Sequence, residues 1–127
     1  MTMYQRILYL AVAGAIGTLA RYGLSGVVYR VTGANFPWGT LVVNLTGCFL
    51  AGVFWRLFEY RWPVSGETRI VILVGFMGAF TTFSTYILET SEFIRTAEWL
   101  NVAGNILLQN GLGVIALFAG ITLGRFI

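Results

Sequence analysis

The 127-residue chain contains no histidine, no lysine and only one cysteine, and charged residues make up 10% of it. The absence of histidine excludes zinc sites that use imidazole, and it excludes acid–base catalysis by histidine. A single cysteine, Cys48, excludes an internal disulfide. Soluble domains carry about 25% charged residues, so this chain has too few to cover a water-facing surface. With 57% hydrophobic residues and a mean hydropathy of +0.80, residues 1–127 are predicted to form one integral membrane domain.

The positive charge is supplied entirely by eight arginines, which give a formal net charge of +3. They are scattered singly among apolar runs, so nothing indicates a nucleic-acid partner. Single arginines near helix ends are typical of topology signals and lipid headgroup anchors. Five of them fall on the side that holds both termini and two on the opposite side, a small bias that leaves the membrane orientation open.

Four apolar segments cover about residues 7–29, 38–58, 69–94 and 99–125. Each reaches the ~20 residues that a helix needs to cross a bilayer. Most of the tryptophans lie near segment ends, as interfacial aromatic belts predict. The apolar run before Ala11 is too short for a signal peptide, so the first segment is predicted to be a retained helix. The fold expected is an all-α membrane protein with four transmembrane helices.

The third segment contains an unusual stretch from Gly75 to Tyr86. Gly75 and Gly78 disfavour a continuous helix, and the hydroxyls of Thr81 and Thr82 compete for backbone hydrogen bonds. These residues predict a helix break within the membrane, at Gly78 to Thr81. Carbonyl oxygens freed at such a break are suitable ligands for a small cation such as sodium.

Arg21 and Asn44 lie inside apolar segments, where unpaired polar groups are costly. Arg21 either snorkels to the membrane surface or faces an aqueous vestibule that concentrates anions. Asn44 either bridges two helices or offers its amide donors to an anion. Glu89 is compatible with a proton carrier, a wall of an anion pathway or an interfacial residue.

Hydrogen-bond donors outnumber carboxylates along these segments, and this balance favours an anion as the ligand. Asn105 and Gln109 are four residues apart and share one helical face. Phe83 and Tyr86 are three apart, so their electropositive ring edges either attract an anion weakly or simply pack. The full set of candidate donors is Arg21, Asn44, Ser84, Thr85, Asn105 and Gln109.

Small residues recur at a spacing of four on two segments, as they do where helices make close contact. They are Gly47 and Ala51 on the second segment, and Ala116, Gly120 and Gly124 on the fourth. Such contacts would lie either within one chain or between two chains. No internal repeat is apparent, and four helices leave no room for a lumen, so transport would require an oligomer.

Three ordered motifs make the chain resemble the small four-helix fluoride channels of the Fluc or CrcB family. The motifs are Gly14-Ala-Ile-Gly17-Thr-Leu-Ala-Arg21-Tyr22, Trp38-Gly-Thr-Leu-Val-Val-Asn44-Leu-Thr-Gly47 and Gly75-Phe-Met-Gly78-Ala-Phe-Thr81-Thr-Phe83-Ser84-Thr85 followed by Glu89. The family's third motif usually ends in phenylalanine, where this chain has Tyr86.

The resemblance implies an antiparallel, dual-topology homodimer in a lipid bilayer, with two fluoride pores and a central structural sodium ion. The carbonyls of Gly78 and Thr81 would hold the sodium. Phe83 would supply a ring edge to fluoride, and Arg21 would serve a vestibule. The polar side of the path would be lined by Asn44, Ser84 and Thr85.

The expected function is passive, fluoride-selective export across a bacterial inner membrane, without enzymatic chemistry. One alternative is a proton-coupled exporter of cationic drugs, which needs an exchangeable carboxylate inside the bundle. Another is a non-conducting assembly subunit, which would explain the glycines and leave the clustered hydroxyls unexplained.

Overall fold

The computed structural model describes the whole chain from Met1 to Ile127, and its secondary structure is entirely helical. Four spans are long and apolar enough to cross a membrane, with mean hydropathies between 1.5 and 1.9. They are Met3–Thr32, Trp38–Tyr60, Gly66–Arg95 and Trp99–Leu123. This confirms the predicted all-α membrane fold with four transmembrane helices, and the spans extend beyond the predicted limits by a few residues at most ends.

The first two spans are continuous helices, α1 (Met3–Thr32) and α2 (Trp38–Tyr60). Helix α1 begins with reciprocal hydrogen bonds between Thr2 and Gln5, which satisfy backbone donors at the helix start. It ends at Gly33, whose φ of 76° is a left-handed conformation that glycine adopts without strain. The five-residue connection from Gly33 to Pro37 leads directly into α2.

The third span is interrupted in its middle. It comprises α3 (Gly66–Ile70), a π-helical stretch (Val71–Phe76), α4 (Met77–Phe80) and α5 (Phe83–Arg95). Thr81 and Thr82 between α4 and α5 are extended, with ψ of 159° and φ of −149° respectively. The predicted break in the third helix is therefore confirmed. It lies at Thr81 and Thr82, whereas Gly78, the first residue of the predicted Gly78–Thr81 range, belongs to α4.

Threonine hydroxyls explain where the third helix stops and restarts. The Thr81 hydroxyl donates to the Met77 carbonyl at 2.9 Å, which satisfies an acceptor at the end of α4. The Thr82 hydroxyl oxygen accepts from the Thr85 amide at 3.3 Å, as the N-cap of α5. Because both hydroxyls bond locally, the break forms at the threonines and needs no glycine there.

The fourth span comprises α6 (Trp99–Leu107), a π-helical stretch (Leu108–Leu112) and α7 (Gly113–Leu123). Helix α7 packs closely on α2, because Gly52 and Gly120 each lie against the backbone of the facing helix. A Cβ at Gly120 would overlap the Phe49 carbonyl, and one at Gly52 would overlap the Leu117 carbonyl. The glycine ridge of the fourth segment therefore makes its contact within the chain. On the second segment, Gly47 receives the side chain of Thr81.

Replacing Gly120 by alanine is expected to lower the free energy of unfolding by about 1–3 kcal/mol, because the methyl group would displace the α2 backbone. Gly66→Ala is the matched control, since a Cβ there meets no atom within 4 Å. Detergent-micelle unfolding followed by circular dichroism measures both variants. Equal stability of the two variants would contradict the packing described for α2 and α7.

Candidate functional site

Asn44 on α2 faces the break in the third span and bonds to both backbone groups of Thr82. The Thr82 amide donates to Asn44 Oδ1 at 2.8 Å, and Asn44 Nδ2 donates to the Thr82 carbonyl at 3.0 Å. A broken helix inside a membrane leaves backbone groups that require partners. The Asn44 carboxamide supplies these partners as another peptide group would.

The remaining N–H of Asn44 donates to Gln109 Oε1 at 3.0 Å. Both amide hydrogens of Asn44 are therefore engaged within the chain. Its orientation follows from the chemistry of its partners, because the Thr82 amide can only face an oxygen. Asn44 thus connects α2, the helix break and the fourth span, and it acts as the interhelical bridge that was one of its two predicted roles.

A first cavity of about 220 Å³ lies beside the break and contains no carboxylate in its wall. The wall consists of Asn44, Cys48, Thr81, Thr82, Phe83, Tyr86, Gln109 and Asn110. Gln109 Nε2 is buried and has no hydrogen-bond partner in the chain. The rings of Phe83 and Tyr86 meet edge to face, with centroids 5.5 Å apart and planes at 66°. This cavity brings together four residues predicted for the fluoride path and Thr81 of the predicted sodium site.

A second cavity, of about 270 Å³, lies on the α1 side of Thr82 and also contains no carboxylate. Its wall consists of Thr18, Arg21, Tyr22, Ser25, Thr40, Val43, Thr82 and Thr85. Arg21 makes only one hydrogen bond, at 3.5 Å to the Thr81 carbonyl. Most of its donors are therefore free, and the half-buried guanidinium lies at the cavity wall. The predicted role of Arg21 at an aqueous vestibule would use this position.

Glu89 contacts the second cavity only through Thr40, which lines that cavity. The Thr40 hydroxyl donates to Glu89 Oε1 at 2.5 Å, while Oε2 is buried without a partner. Glu89 also lines a third cavity of about 320 Å³, together with Tyr29, Pro37 and Glu92. Glu89 therefore lines one cavity directly and contacts the wall of another through Thr40.

Asn105 and Ser84 do not line the two cavities beside the break. Asn105 is fully buried, and its Nδ2 donates to the Thr90 hydroxyl at 2.9 Å, which joins α6 to α5. The Ser84 side chain is exposed on the outer surface of the chain. Although Asn105 and Gln109 share one helical face, only Gln109 reaches a cavity.

Several carbonyls near the end of α4 are free oxygen atoms of the kind that a hard cation would take as ligands. Those of Gly78, Ala79 and Phe80 accept no hydrogen bond within the chain, since the Thr82 amide donates to Asn44 instead. Gly78 is exposed, and the Thr81 carbonyl receives only the long bond from Arg21. No cluster of acids and cysteines provides another metal site. These carbonyls fit a hard cation such as sodium.

Several residues of the cavity walls were not singled out in the sequence, among them Thr18, Ser25 and Thr40. A spacing signal was present for each of these three. Thr40, Asn44 and Cys48 are spaced by four and therefore share one face of α2. Thr18 and Ser25 are seven apart around Arg21, and this spacing also places them on one helical face.

Comparisons with known proteins identify the family of the chain. A family model described as "CrcB-like protein, Camphor Resistance (CrcB)" matches residues 8–121. A relative named "Fluoride-specific ion channel FluC" from Desulforapulum autotrophicum is 59% identical over 98% of this chain and 100% of its own length. Proteins of the same name from Nitrosococcus oceani and Solidesulfovibrio magneticus are 52% and 51% identical over the same shares. The chain belongs to the CrcB-like family.

Proposed function

We propose that this protein is a fluoride channel that lets cytoplasmic fluoride leave the cell passively. The observation that carries the proposal is the pair of cavities beside the break, which are lined by hydrogen-bond donors and contain no carboxylate. Relatives that match nearly the whole chain are named fluoride-specific ion channels. A channel, rather than an enzyme, requires only positioned donors and a route.

Fluoride is small and strongly hydrated, so donors in the protein must replace the water that it loses. In our proposal Arg21 raises the local anion concentration at the second cavity. Thr85 lines that cavity, and Ser84 offers a further hydroxyl at the start of α5. Phe83 and Tyr86 present ring edges at the first cavity, where weak attraction permits release. Thr82 borders both cavities, and the proposed path passes this residue.

The driving force we propose is the membrane potential of a bacterial inner membrane. Fluoride enters cells as neutral hydrogen fluoride, which dissociates inside and leaves the charged ion trapped. An inside-negative potential moves an anion outward through an open path, with no nucleotide and no covalent step. Each elementary charge that crosses gains about 2.3 kcal/mol per 100 mV.

The chain is further proposed to act as an antiparallel homodimer with two pores. Support comes from the outer surface at the break, where Gly78, Ser84 and Thr85 are exposed at mid-span. Polar groups facing hydrocarbon are costly, so a second protein surface there is favourable. Phe83 borders the first cavity and is nevertheless 72% exposed, as expected of a side chain that also contributes to a partner's path.

A structural sodium ion between the two copies is part of the same proposal. The carbonyls of Gly78 and Thr81 would hold it, because the Gly78 carbonyl accepts no hydrogen bond and the Thr81 carbonyl receives only the long bond from Arg21. The exposed Gly78 surface would face the partner. A bound sodium would supply fixed positive charge near the anion path. Two copies would contribute four carbonyl ligands in all.

Liposomes that contain the purified protein are expected to release fluoride and to retain chloride. The rate of fluoride release is expected to be the same with and without a pH gradient. A fluoride electrode and a chloride electrode measure the two anions in parallel. Proton-coupled uptake of an organic cation in the same liposomes would instead support the exporter alternative. Absence of any flux would support an assembly subunit.

Asn44→Asp is expected to reduce fluoride efflux about tenfold or more. The substitution removes the donor to the Thr82 carbonyl and places negative charge beside the anion path, and each ~1.4 kcal/mol of barrier corresponds to a factor of ten. Asn101→Asp is the matched control, since Asn101 pairs with Glu98 near the start of α6 and lines neither cavity. Unchanged efflux in Asn44→Asp would contradict a path beside Asn44.

Sodium is expected to raise the thermal unfolding temperature of the purified dimer above its value in potassium or N-methylglucamine. A ligand that binds only the folded state stabilises it in proportion to the logarithm of its concentration. Circular dichroism melts at matched ionic strength measure the effect. Identical melts in the three salts would contradict a sodium site at the break.

A further inference from the structure

Two donors in the first cavity have no acceptor within the chain, and each belongs to a side chain whose oxygen already accepts a hydrogen bond. These donors are the Nε2 group of Gln109 and the hydroxyl proton of Tyr86. Gln109 Oε1 accepts from Asn44, and the Tyr86 hydroxyl oxygen accepts from Asn110. Both donor side chains line the same cavity and both are more than nine-tenths buried.

The orientation of Gln109 follows from a chain of hydrogen bonds that begins at the helix break. The Thr82 amide requires an oxygen, which fixes Oδ1 of Asn44 toward it and directs Nδ2 toward the fourth span. The Gln109 atom that meets Nδ2 must then be its oxygen. Nε2 is left buried and without a partner, which is costly unless a ligand accepts from it.

The orientation of Tyr86 follows by the same reasoning from the fourth span. Asn110 Nδ2 donates to the Ile106 carbonyl at 2.8 Å, which identifies this atom as the nitrogen. The second hydrogen of Nδ2 reaches the Tyr86 hydroxyl oxygen at 3.2 Å. Because that oxygen accepts, the phenolic proton is free for another acceptor.

We propose that Gln109 and Tyr86 together bind one small anion in the first cavity, with Asn44 and Asn110 as their positioning residues. The proposal rests on the proposed function, because the anion is taken to be the transported fluoride. Each positioning amide polarises the donor that follows it, so both donors are strengthened toward an anion. Fluoride is a far better hydrogen-bond acceptor than chloride, so two directed donors favour fluoride.

The assignment changes the part played by Tyr86. A phenylalanine there would present only a ring edge, which attracts anions weakly. The tyrosine adds a directed O–H donor whose oxygen is held by Asn110. This chain would accordingly bind fluoride more tightly at this position than a version with phenylalanine.

Tyr86→Phe and Gln109→Met are expected each to raise the half-saturating fluoride concentration for liposome efflux about tenfold or more, since each removes one hydrogen bond to a charged ligand. Tyr60→Phe is the matched control, because the Tyr60 hydroxyl bonds to nothing and its ring packs under Arg56, remote from the cavity. Gel filtration and circular dichroism identify any variant that fails to fold, and the other variant then provides the result.

A double-mutant cycle tests the positioning role of Asn110. Asn110→Ala is expected to weaken fluoride saturation in the wild-type background and to have no further effect in Tyr86→Phe. Additive effects would overturn the role of Asn110. Half-saturating concentrations equal to wild type in both Tyr86→Phe and Gln109→Met would overturn the two-donor site. Failure of the wild-type protein to release any fluoride would instead overturn the proposed function, and so the two failures are distinguishable.

Discussion

The contact between the Asn44 carboxamide and the Thr82 peptide is the interaction on which the rest of the site depends. A gap of two extended residues inside a membrane span exposes backbone groups that lipid cannot satisfy. Asn44 bonds to both the amide and the carbonyl of Thr82, at 2.8 and 3.0 Å, and thereby makes the break tolerable. The two cavities, the free carbonyls of α4 and the start of α5 all adjoin this one contact.

The same contact explains how a chain with so few charged residues presents donors to an anion. Asn44 uses both its hydrogens within the protein, so its effect on the cavity is exerted through Gln109. Asn110 does the equivalent for Tyr86. In both pairs an asparagine amide donates to the oxygen of the second side chain. The N–H of Gln109 and the O–H of Tyr86 are then left to donate to a ligand. Directed neutral donors of this kind add less charge than arginines would, which suits an ion that must also leave.

Close backbone contact provides the rigidity that such a site requires. Gly52 and Gly120 bring α2 and α7 together, and this contact determines how the fourth span lies against Asn44. The opposite surface of the chain is different, because polar atoms of the broken span are exposed there at membrane depth. The proposed second copy would cover these atoms. In our proposal the partner would therefore solvate the break as well as complete a path.

The number and length of the spans could be predicted from sequence, because a bilayer demands about 20 apolar residues per helix regardless of packing. The break was also predictable, since glycine residues and threonine hydroxyls weaken a helix locally. Its stability in the membrane also depended on tertiary structure, because the Asn44 carboxamide supplies the partners that the Thr82 peptide loses with the helix. The abundance of donors in the sequence indicated an anion as the ligand. Which donors are free for it depends on hydrogen bonds between residues 38 and 65 positions apart, Asn44 with Thr82 and Asn44 with Gln109. Local sequence carries no information about such distant pairs.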